Sequence, residues 1–238
     1  MNLFEQALGD IQGGRVLDVA TGRGGFVNLL AHRLDGYSQI VGIDIAERVI
    51  EDAPNNTAGK NVHFVQMDAR RLGFKDGSFD TVSVSASLHH LADAAPVFAE
   101  MGRMLRPGGH LVVAEMHRDV TTEAQLTSVR LHTWAAAVDL AAGLPHYPTL
   151  TRQQIVGLVE ALDLRDISVY NWADVDSDPL DEDRITSLEG VLERYLFKAQ
   201  GLPDHLEIEA QAEALRRRLR EVGAQSEPRI VIVGQQPW

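Results

Sequence analysis

The stretch VLDVATGRGGF, residues 16–26, decides the fold because it leads from an apolar strand through a glycine-rich turn into a helix. The turn contains Gly22, Gly24 and Gly25. A turn of this kind aims free backbone N–H groups and the N-terminus of the following helix at a ligand. Asp18 adds a carboxylate inside the strand itself. Together these features predict a nucleotide-like ligand that carries positive charge.

Strand-like and helix-like segments alternate around and beyond this turn. The predicted strands are 15–20, 39–45, 61–67, 79–85, 110–116, 164–172 and 229–237. The predicted helices are 24–34, 46–53, 88–105, 122–141, 151–162 and 185–222, the last interrupted at 201–204. Strands rich in Val and Ile that alternate with such helices indicate an α/β fold with a mostly parallel sheet. We interpret residues 1–238 as one domain, with helical insertions at about 117–148 and 173–227.

The charge of the chain limits its partners. The 238 residues include 34 acidic and 22 basic side chains, which gives a formal net charge of −12. This charge works against binding to nucleic acid, which depends on neutralising phosphates. One basic cluster contains arginines at 216–218 and 220, and the nearby Glu213 and Glu221 indicate that it is an ion-paired face.

The composition also limits the cellular context. The chain contains no cysteine, which excludes disulfides, thiolate zinc sites and thiol catalysis. It has no run of 18 apolar residues, and its first ten residues lack the pattern of a signal peptide. We therefore expect a cytoplasmic protein without a membrane span.

The glycine turn also resembles part of the dinucleotide-binding fingerprint. Gly22 and Gly24 match its first two glycines, but Val27 occupies the place of the third. Asp18 would repel a pyrophosphate, while it suits a ligand with ammonium and sulfonium charges. A nucleotide-dependent oxidoreductase is thus the less favoured alternative.

Four stretches in register resemble class I S-adenosylmethionine (SAM)-dependent methyltransferases, of the methyltransferase type 11 and quinone-biosynthesis kind. The first stretch is Asp18 to Phe26, and the others are VGIDI at 41–45, VQMDARRLGFKDGSFDTV at 65–82 and MLRPGGHLVVAE at 104–115. The resemblance covers roughly residues 10–118. It implies a Rossmann-like, doubly wound, mostly parallel seven-stranded sheet, with the helical insertions forming a cap. It also implies SAM as the cofactor and S-adenosyl-L-homocysteine as its product.

The resemblance assigns roles to three carboxylates. Asp18 would lie near the methionine end of the cofactor, Asp44 would accept both ribose hydroxyls, and Asp68 would accept the adenine amino group. The backbone around Ser85 would contact the methionine part. The complete implied cofactor set is Asp18, Ala20, Thr21, Gly22, Gly24, Asp44, Ile45, Asp68, Ala69 and Ser85.

Two of these aspartates have a purely structural alternative. Asp44 is also placed to cap a helix that begins at Ala46. Asp68 is also placed to cap backbone N–H groups at the start of a loop. Both alternatives stay open at the level of sequence.

The stretch VSASLHHLAD, residues 84–93, follows the fourth predicted strand, where ligands meet in open α/β sheets. The resemblance places His90 at the reaction site, where an imidazole acts as a general base or hydrogen-bond donor. His89 is the second catalytic candidate. Adjacent residues on a helix point about 100° apart, so we expect only one of the two to face the pocket. The alternative is that one imidazole packs or caps the helix and neither takes part in chemistry.

The second half of the chain offers candidates for contact with a methyl acceptor. His117, Trp134, His146 and Tyr147, with His132 beside them, are the side chains we expect to line a cap over the pocket. The helical spacing of Trp134 fits a core position even better. No histidine pair has the i, i+4 spacing of a helical metal site, so we expect no metal.

The predicted function is SAM-dependent transfer of a methyl group to a small-molecule acceptor by in-line displacement. A non-catalytic SAM-binding regulatory protein has the same cofactor motifs and is the main alternative. The acidic charge disfavours nucleic acid as the acceptor. Monomer and homodimer are both compatible with the helical insertions.

Overall fold

The computed structural model describes residues 3–9, 11–57 and 59–238. Its strands are β1 (Gln12–Val19), β2 (Asp35–Asp44), β3 (Val62–Gln66), β4 (Phe79–Ser85), β5 (Leu105–Met116), β6 (Arg165–Trp172) and β7 (Arg229–Gln235). In the described part of the chain they form one seven-stranded sheet in the order β3-β2-β1-β4-β5-β7-β6. Every strand predicted from the sequence is present, and the Rossmann-like expectation is confirmed.

The sheet is parallel except for its seventh strand. β1 pairs in parallel with both β2 and β4, and β3 and β5 extend this arrangement outward. β7 is antiparallel to both of its neighbours, β5 and β6. The chain therefore reverses its strand order at β1, and the carboxyl ends of β1, β2 and β4 meet at one edge. Ligands of open α/β sheets bind at such a point.

Helices cover both faces of the sheet. They are α1 (Leu3–Leu8), α2 (Gly25–Arg33), α3 (Glu47–Asp52), α4 (Ala95–Met104), α5 (Glu123–Ala141), α6 (Arg152–Glu160), α7 (Glu182–Ala199) and α8 (His205–Glu221). Leu17 and Val19 of β1 belong to the core shared with α4 and α6, and Val16 belongs to the opposite core, which includes α1 and α2. Successive strand residues point to opposite faces, so a strand buried on both faces has to be apolar throughout.

The insertions pack against each other and form a cap, by which we mean α5, α7 and α8. Their shared core contains Leu131, Trp134, Leu192, Ala212 and Leu219. α5 begins at Glu123 because Thr122 accepts the backbone N–H of Gln125 at 3.0 Å. Across the described residues, no helix combines the length and apolar character that a membrane span requires.

The predicted helix over 88–105 is wrong in its first part. Leu88–His90 is a short 3-10 helix, and α4 begins only at Ala95. Pro96 in the first turn of α4 has no N–H to bond to a preceding turn, and the Asp93 carboxylate accepts the N–H of Ala95 at 3.0 Å. Residues 91–94 therefore separate the two histidines from the helix that was expected to carry them.

Candidate active site

The glycine turn lies between β1 and α2 at the carboxyl edge of the sheet. Ala20, Gly22 and Gly24 all have positive φ, at 53°, 54° and 79°. A Cβ added at Gly22 or Gly25 would meet nothing within 4 Å, whereas one at Gly24 would lie 2.6 Å from Thr57 Oγ1. The open space for a ligand is therefore beside Gly22 and Gly25. Gly24 is required by its left-handed backbone and by its packing against Thr57.

Asp44 connects the end of β2 to this turn. Its Oδ2 accepts the Gly22 N–H at 3.0 Å, and its Oδ1 accepts the Ala46 N–H at 3.0 Å. Ala46, not Asp44, is the residue that precedes α3. The helix-cap alternative therefore accounts for the bond to the Ala46 N–H but not for the bond to the Gly22 N–H. Each carboxylate oxygen keeps a second lone pair for a hydroxyl donor. Beside it, Ile45 exposes 63% of its surface, an apolar area that a flat ring can cover.

Asp18 is buried at the strand end with only part of its hydrogen bonding satisfied. Its Oδ1 accepts the Ser83 hydroxyl at 2.7 Å, while its Oδ2 has no partner among the described residues. The buried Thr21 hydroxyl also makes no hydrogen bond of standard geometry there, but it lies close enough to Asp18 to lower the pKa of that carboxyl. Burial raises the pKa of Asp18 to about 6, against the opposing effects of the Ser83 and Thr21 hydroxyls. An unpaired buried carboxylate oxygen is costly, and a cationic ligand at the turn would satisfy it.

Asp68 is held by its neighbour Arg70. The guanidinium Nη2 donates to Asp68 Oδ2 at 2.7 Å, and the Arg70 backbone N–H donates to Oδ1 at 2.9 Å. The Arg70 side chain lowers the pKa of the Asp68 carboxyl below its usual range. The bond from the Arg70 backbone N–H is the one that the capping alternative predicts. An adenine amino group would have to share the Asp68 carboxylate with Arg70. Ala69 packs partly against the core of the sheet.

Ser87 joins the ends of β4 and β1. Its hydroxyl lies 3.0 Å from the Ala20 carbonyl oxygen and 2.7 Å from that of Ser85. Between them, Ala86 has φ of 46°, so both strands end in a left-handed residue that is not glycine. Such backbone strain is concentrated at ligand sites.

Glu115, near the end of β5, fixes the segment that carries the two histidines. Its Oε1 accepts the N–H groups of Ser87 at 2.7 Å and Leu88 at 3.0 Å. Burial raises the pKa of Glu115 to about 7. Sequence reasoning missed this residue, although it gives the same signal as Asp18, an acid in an otherwise apolar buried strand.

We expect Glu115→Ala to lower the free energy of unfolding by about 2–4 kcal/mol, because two buried N–H groups lose their acceptor. Glu115→Gln keeps an acceptor oxygen and should cost clearly less. Urea unfolding of both variants measures the difference. Equal stability of the alanine variant and the unchanged protein would show that Glu115 does not hold this segment.

Four histidine rings form a cluster beside this segment: His89 and His90 on the 3-10 helix, His132 on α5 and His146 after α5. The His89 and His90 centroids lie 4.3 Å apart, and His90 lies 4.7 Å from His146. His132 lies 4.8 Å from His89 and 4.9 Å from His146. The two residues lie on a 3-10 helix and not on the expected α-helix, and their surroundings differ: His89 is buried and His90 is exposed. Both rings join the same cluster.

Asp139 of α5 supports the cluster from the cap. Its Oδ2 lies 2.7 Å from His146 Nδ1 and accepts the Tyr195 hydroxyl at 2.9 Å, and its Oδ1 accepts the Lys198 ammonium. Burial alone would raise the pKa of Asp139, but these hydrogen bonds bring it below its usual value. Nothing in the local sequence separates Asp139 from any other acid on a helix, so sequence reasoning did not select it.

Burial makes two of the rings weak bases. It lowers the pKa of His89 to about 3 and that of His132 to about 4, with a smaller contribution from the neighbouring histidines. Both imidazoles are therefore neutral at neutral pH. A neutral imidazole accepts a proton, a hydrogen bond or a metal ion.

A cleft of about 390 Å³ opens on the cap side of the cluster. Its walls include His132, His146, Arg184, Tyr195 and Glu227. Arg184 is tied by its guanidinium to Asp174 Oδ2 at 3.1 Å. The cleft lies between α5, α7 and the segment before β7, so its walls come from the cap side and not from the glycine turn.

The remaining acceptor candidates are distributed differently. Trp134 lies buried in the core of the cap, where its indole N–H donates to the Ile208 carbonyl at 3.3 Å, so the structure places it among the packing residues. Tyr147 contacts the cluster through its backbone, which donates to the His89 carbonyl at 2.7 Å. His117 is buried at the end of β5, and its Nδ1 has no hydrogen-bond partner among the described residues.

Comparison with known proteins concerns the first half of the chain and the overall fold. Residues 17–113 match the family model described as a methyltransferase domain. Over 104 residues the chain is 38% identical to a ubiquinone/menaquinone biosynthesis C-methyltransferase of Desulfotalea psychrophila, a match that covers 44% of this chain and 42% of that protein. The chain matches less than half the length of these curated relatives.

Solved structures resemble the whole chain. The YcgJ protein of Bacillus subtilis is 18% identical with a TM-score of 0.66, over 99% of this chain and 97% of that one. Phosphoethanolamine N-methyltransferase 2 of Haemonchus contortus, solved with S-adenosylhomocysteine, is 17% identical with a TM-score of 0.60, over 99% and 52%. At these identities the likeness shows the fold. Residues 17–113 of this chain therefore resemble a methyltransferase domain, on a fold shared with these solved structures.

Proposed function

We propose that this protein transfers a methyl group from SAM to a small-molecule acceptor. The observation that carries the proposal is the buried, unpaired Oδ2 of Asp18 next to a glycine turn with open space beside Gly22. A pyrophosphate would be repelled there, and an ammonium or sulfonium group would be attracted. The buried Val27 in place of the third glycine also argues against the dinucleotide alternative.

The chain's own residues would hold the cofactor at three places. Asp44 would accept the ribose hydroxyls, Ile45 would cover the adenine ring, and Asp18 would attract the charged methionine end. When bound, SAM supplies a methyl group on a positively charged sulfur that leaves as a neutral thioether. The protein has to align the acceptor with that methyl group and exclude water.

His90 is the catalytic candidate whose geometry supports a general base. Its Nδ1 lies 3.0 Å from the Pro145 carbonyl oxygen, which can only accept a hydrogen bond. Nδ1 therefore carries the ring proton in the neutral form, and Nε2 is left unprotonated. His90 is exposed, so Nε2 can take a proton from a hydroxyl or amine of the acceptor. His89 is buried and would act on the reaction only through the cluster.

The cap would select the acceptor, and it lies outside the matched residues 17–113. The match therefore gives no reason to assign this chain the quinone substrates in the relatives' names. A cleft of about 390 Å³ suits a small molecule. A nucleic-acid acceptor is not supported, because Arg216, Arg218 and Arg220 on α8 all pair with glutamates. A cytoplasmic location and a monomeric or homodimeric state stay predictions.

The test is calorimetric titration of the full chain with SAM, S-adenosylhomocysteine and NAD, followed by a transfer assay with methyl-labelled SAM and a panel of small hydroxylated and amine acceptors. We expect SAM and its product to bind and NAD not to bind. NAD binding without SAM binding would replace the proposal with the oxidoreductase alternative. SAM binding in a chain whose cleft admits no acceptor would favour the regulatory alternative.

The affinity for SAM should depend on the ionisation of Asp18. Because its pKa is raised to about 6, the carboxyl is charged at pH 7.5 and becomes neutral below pH 6. The cationic ligand then loses its partner, so affinity should fall about fivefold between pH 6 and pH 5 as the ionised fraction drops from about one half to about one tenth. Titration calorimetry across this range measures the effect, and Asp18→Asn should bind weakly with no such pH dependence.

The same raised pKa has the opposite effect on the stability of the free protein. The folded chain holds the Asp18 proton more tightly than the unfolded chain, so stability should fall as pH rises from about 4 to 6. Ser83→Ala removes the bond that opposes this shift and should move the upper end of the window to higher pH. A midpoint unchanged by Ser83→Ala would contradict the assignment to Asp18.

A further inference from the structure

We propose that His89, His132 and His146 bind one divalent transition-metal ion of the Zn²⁺ type at the inner end of the cleft. One nitrogen atom from each of the three rings lies within 4.8 Å of the others. His132 Nε2 and His146 Nε2 are 3.0 Å apart. Tetrahedral bonds of about 2.0–2.1 Å place two ligand nitrogens roughly 3.3 Å apart, so these two atoms already have nearly the required spacing.

The other nitrogen of each cap histidine points to a carboxylate. His146 Nδ1 lies 2.7 Å from Asp139 Oδ2, which assigns the ring proton to Nδ1 and leaves Nε2 free to bind an ion. His132 Nδ1 lies 3.8 Å from Glu227 Oε1, beyond hydrogen-bond distance, so only His146 has its carboxylate already bonded. A carboxylate behind a histidine is the usual support of a metal ligand, since it fixes the ring orientation and the tautomer. Asp139 is itself fixed by Tyr195 and Lys198.

His89 supplies the second, independent observation. Its side chain is 7% exposed, and its Nδ1 has no hydrogen-bond partner within the described ranges. Its backbone is fixed on both sides, because Glu115 accepts the preceding N–H and Tyr147 donates to the His89 carbonyl. A buried ring nitrogen held in place without a partner calls for a ligand. A modest approach of this ring completes a three-histidine site.

Three histidine nitrogens leave the fourth coordination position of a tetrahedral ion unfilled by protein. His132 and His146 both line the cleft, so that position faces it. Sites with three histidines and an open position bind water or substrate. The fitting ligand is a small molecule with an ionisable oxygen donor, such as a hydroxyl. This last step rests on the proposed methyltransferase function, whereas binding of the ion does not.

A metal-free hydrogen-bonded chain is the competing explanation. His132 Nε2–H would donate to His146 Nε2, which Asp139 orients. That arrangement explains the distance of 3.0 Å but leaves His89 Nδ1 without a partner. The two explanations differ in what happens when an ion is offered.

The experiment is equilibrium dialysis of the chelator-treated full chain against Co²⁺ and against Zn²⁺, with the bound metal counted by mass spectrometry. We expect one ion per chain and a visible Co²⁺ spectrum of low-coordinate nitrogen ligation. His132→Ala and His146→Ala should each weaken binding at least 100-fold, and Asp139→Asn should weaken it about 10–100-fold. His32→Ala, on the exposed side of α2, is the matched control and should bind as the unchanged protein does.

Circular dichroism and thermal unfolding establish that each variant folds, and His132→Asn replaces His132→Ala if the latter does not. Failure of the unchanged protein to bind Co²⁺ at millimolar concentration, or equal binding by all variants, would overturn the site in favour of the hydrogen-bonded chain. SAM titration of the same samples separates the two proposals. If the unchanged protein binds SAM but no metal, only the metal site is refuted. If it binds metal but no SAM, only the proposed methyltransferase function is refuted.

Discussion

Asp44→Ala should raise the dissociation constant for SAM at least 100-fold. The carboxylate holds the turn through the Gly22 N–H and the start of α3 through the Ala46 N–H, both at 3.0 Å. It would also accept the ribose hydroxyls. Each hydrogen bond to a charged group contributes about 1.5–3 kcal/mol, and roughly 1.4 kcal/mol corresponds to a factor of ten. Loss of two such bonds therefore gives a factor of 100 or more, measured by titration calorimetry.

Asp35→Ala is the matched control, because Asp35 is exposed at the opposite end of the same strand. It should leave the affinity for SAM unchanged. Asp44→Asn keeps one acceptor oxygen, so its dissociation constant for SAM should lie between those of Asp44→Ala and Asp35→Ala. If Asp44→Ala binds SAM within a few-fold of the unchanged protein, the ribose is not held at the end of β2.

Gly223→Ala should destabilise the fold by about 3 kcal/mol or more. Gly223 ends α8 with φ of 79°, and an added Cβ would lie 2.1 Å from the Pro179 carbonyl oxygen. That oxygen accepts the Ala224 N–H at 2.8 Å, so it cannot move away without losing its bond. The left-handed backbone alone costs about 1–2 kcal/mol with a side chain, and the clash adds to it.

Thermal unfolding should show a decrease in Tm of about 6 °C or more, given roughly 2–4 °C per kcal/mol for a chain of this size. Gly201→Ala is the control, because a Cβ there meets nothing within 4 Å. It should leave Tm within about 1–2 °C of the unchanged value. Equal Tm values for the two variants would show that the backbone at Gly223 relaxes around the added methyl group.

The sequence predicted the elements whose signals are local. The capping box at Thr151 and Gln154 predicted the start of α6, and both of its bonds are present. The glycine turn and Asp18 predicted the ligand edge of the sheet. Their patterns extend over a few residues, so hydrophobic periodicity and cap chemistry are enough to detect them.

The histidine cluster depends on tertiary packing. His89 belongs to the segment after β4, and His132 and His146 belong to the cap. Spacing rules detect metal ligands on one helix, and these three residues come from separate elements. The expectation of no metal came from spacing along one helix, which says nothing about ligands contributed by separate elements. The pairing of Asp68 with Arg70, two positions away, was visible in the sequence.

The pairing of β7 also has a consequence for how the chain is made. β6 lies at the edge of the sheet, with β7 as its one neighbouring strand. Until residues 229–235 leave the ribosome, β5 has an open edge and β6 has nothing to pair with. An unpaired apolar strand edge attracts other chains. The nascent protein therefore passes through a period in which the edge of β5 and the whole of β6 are unpaired and open to aggregation.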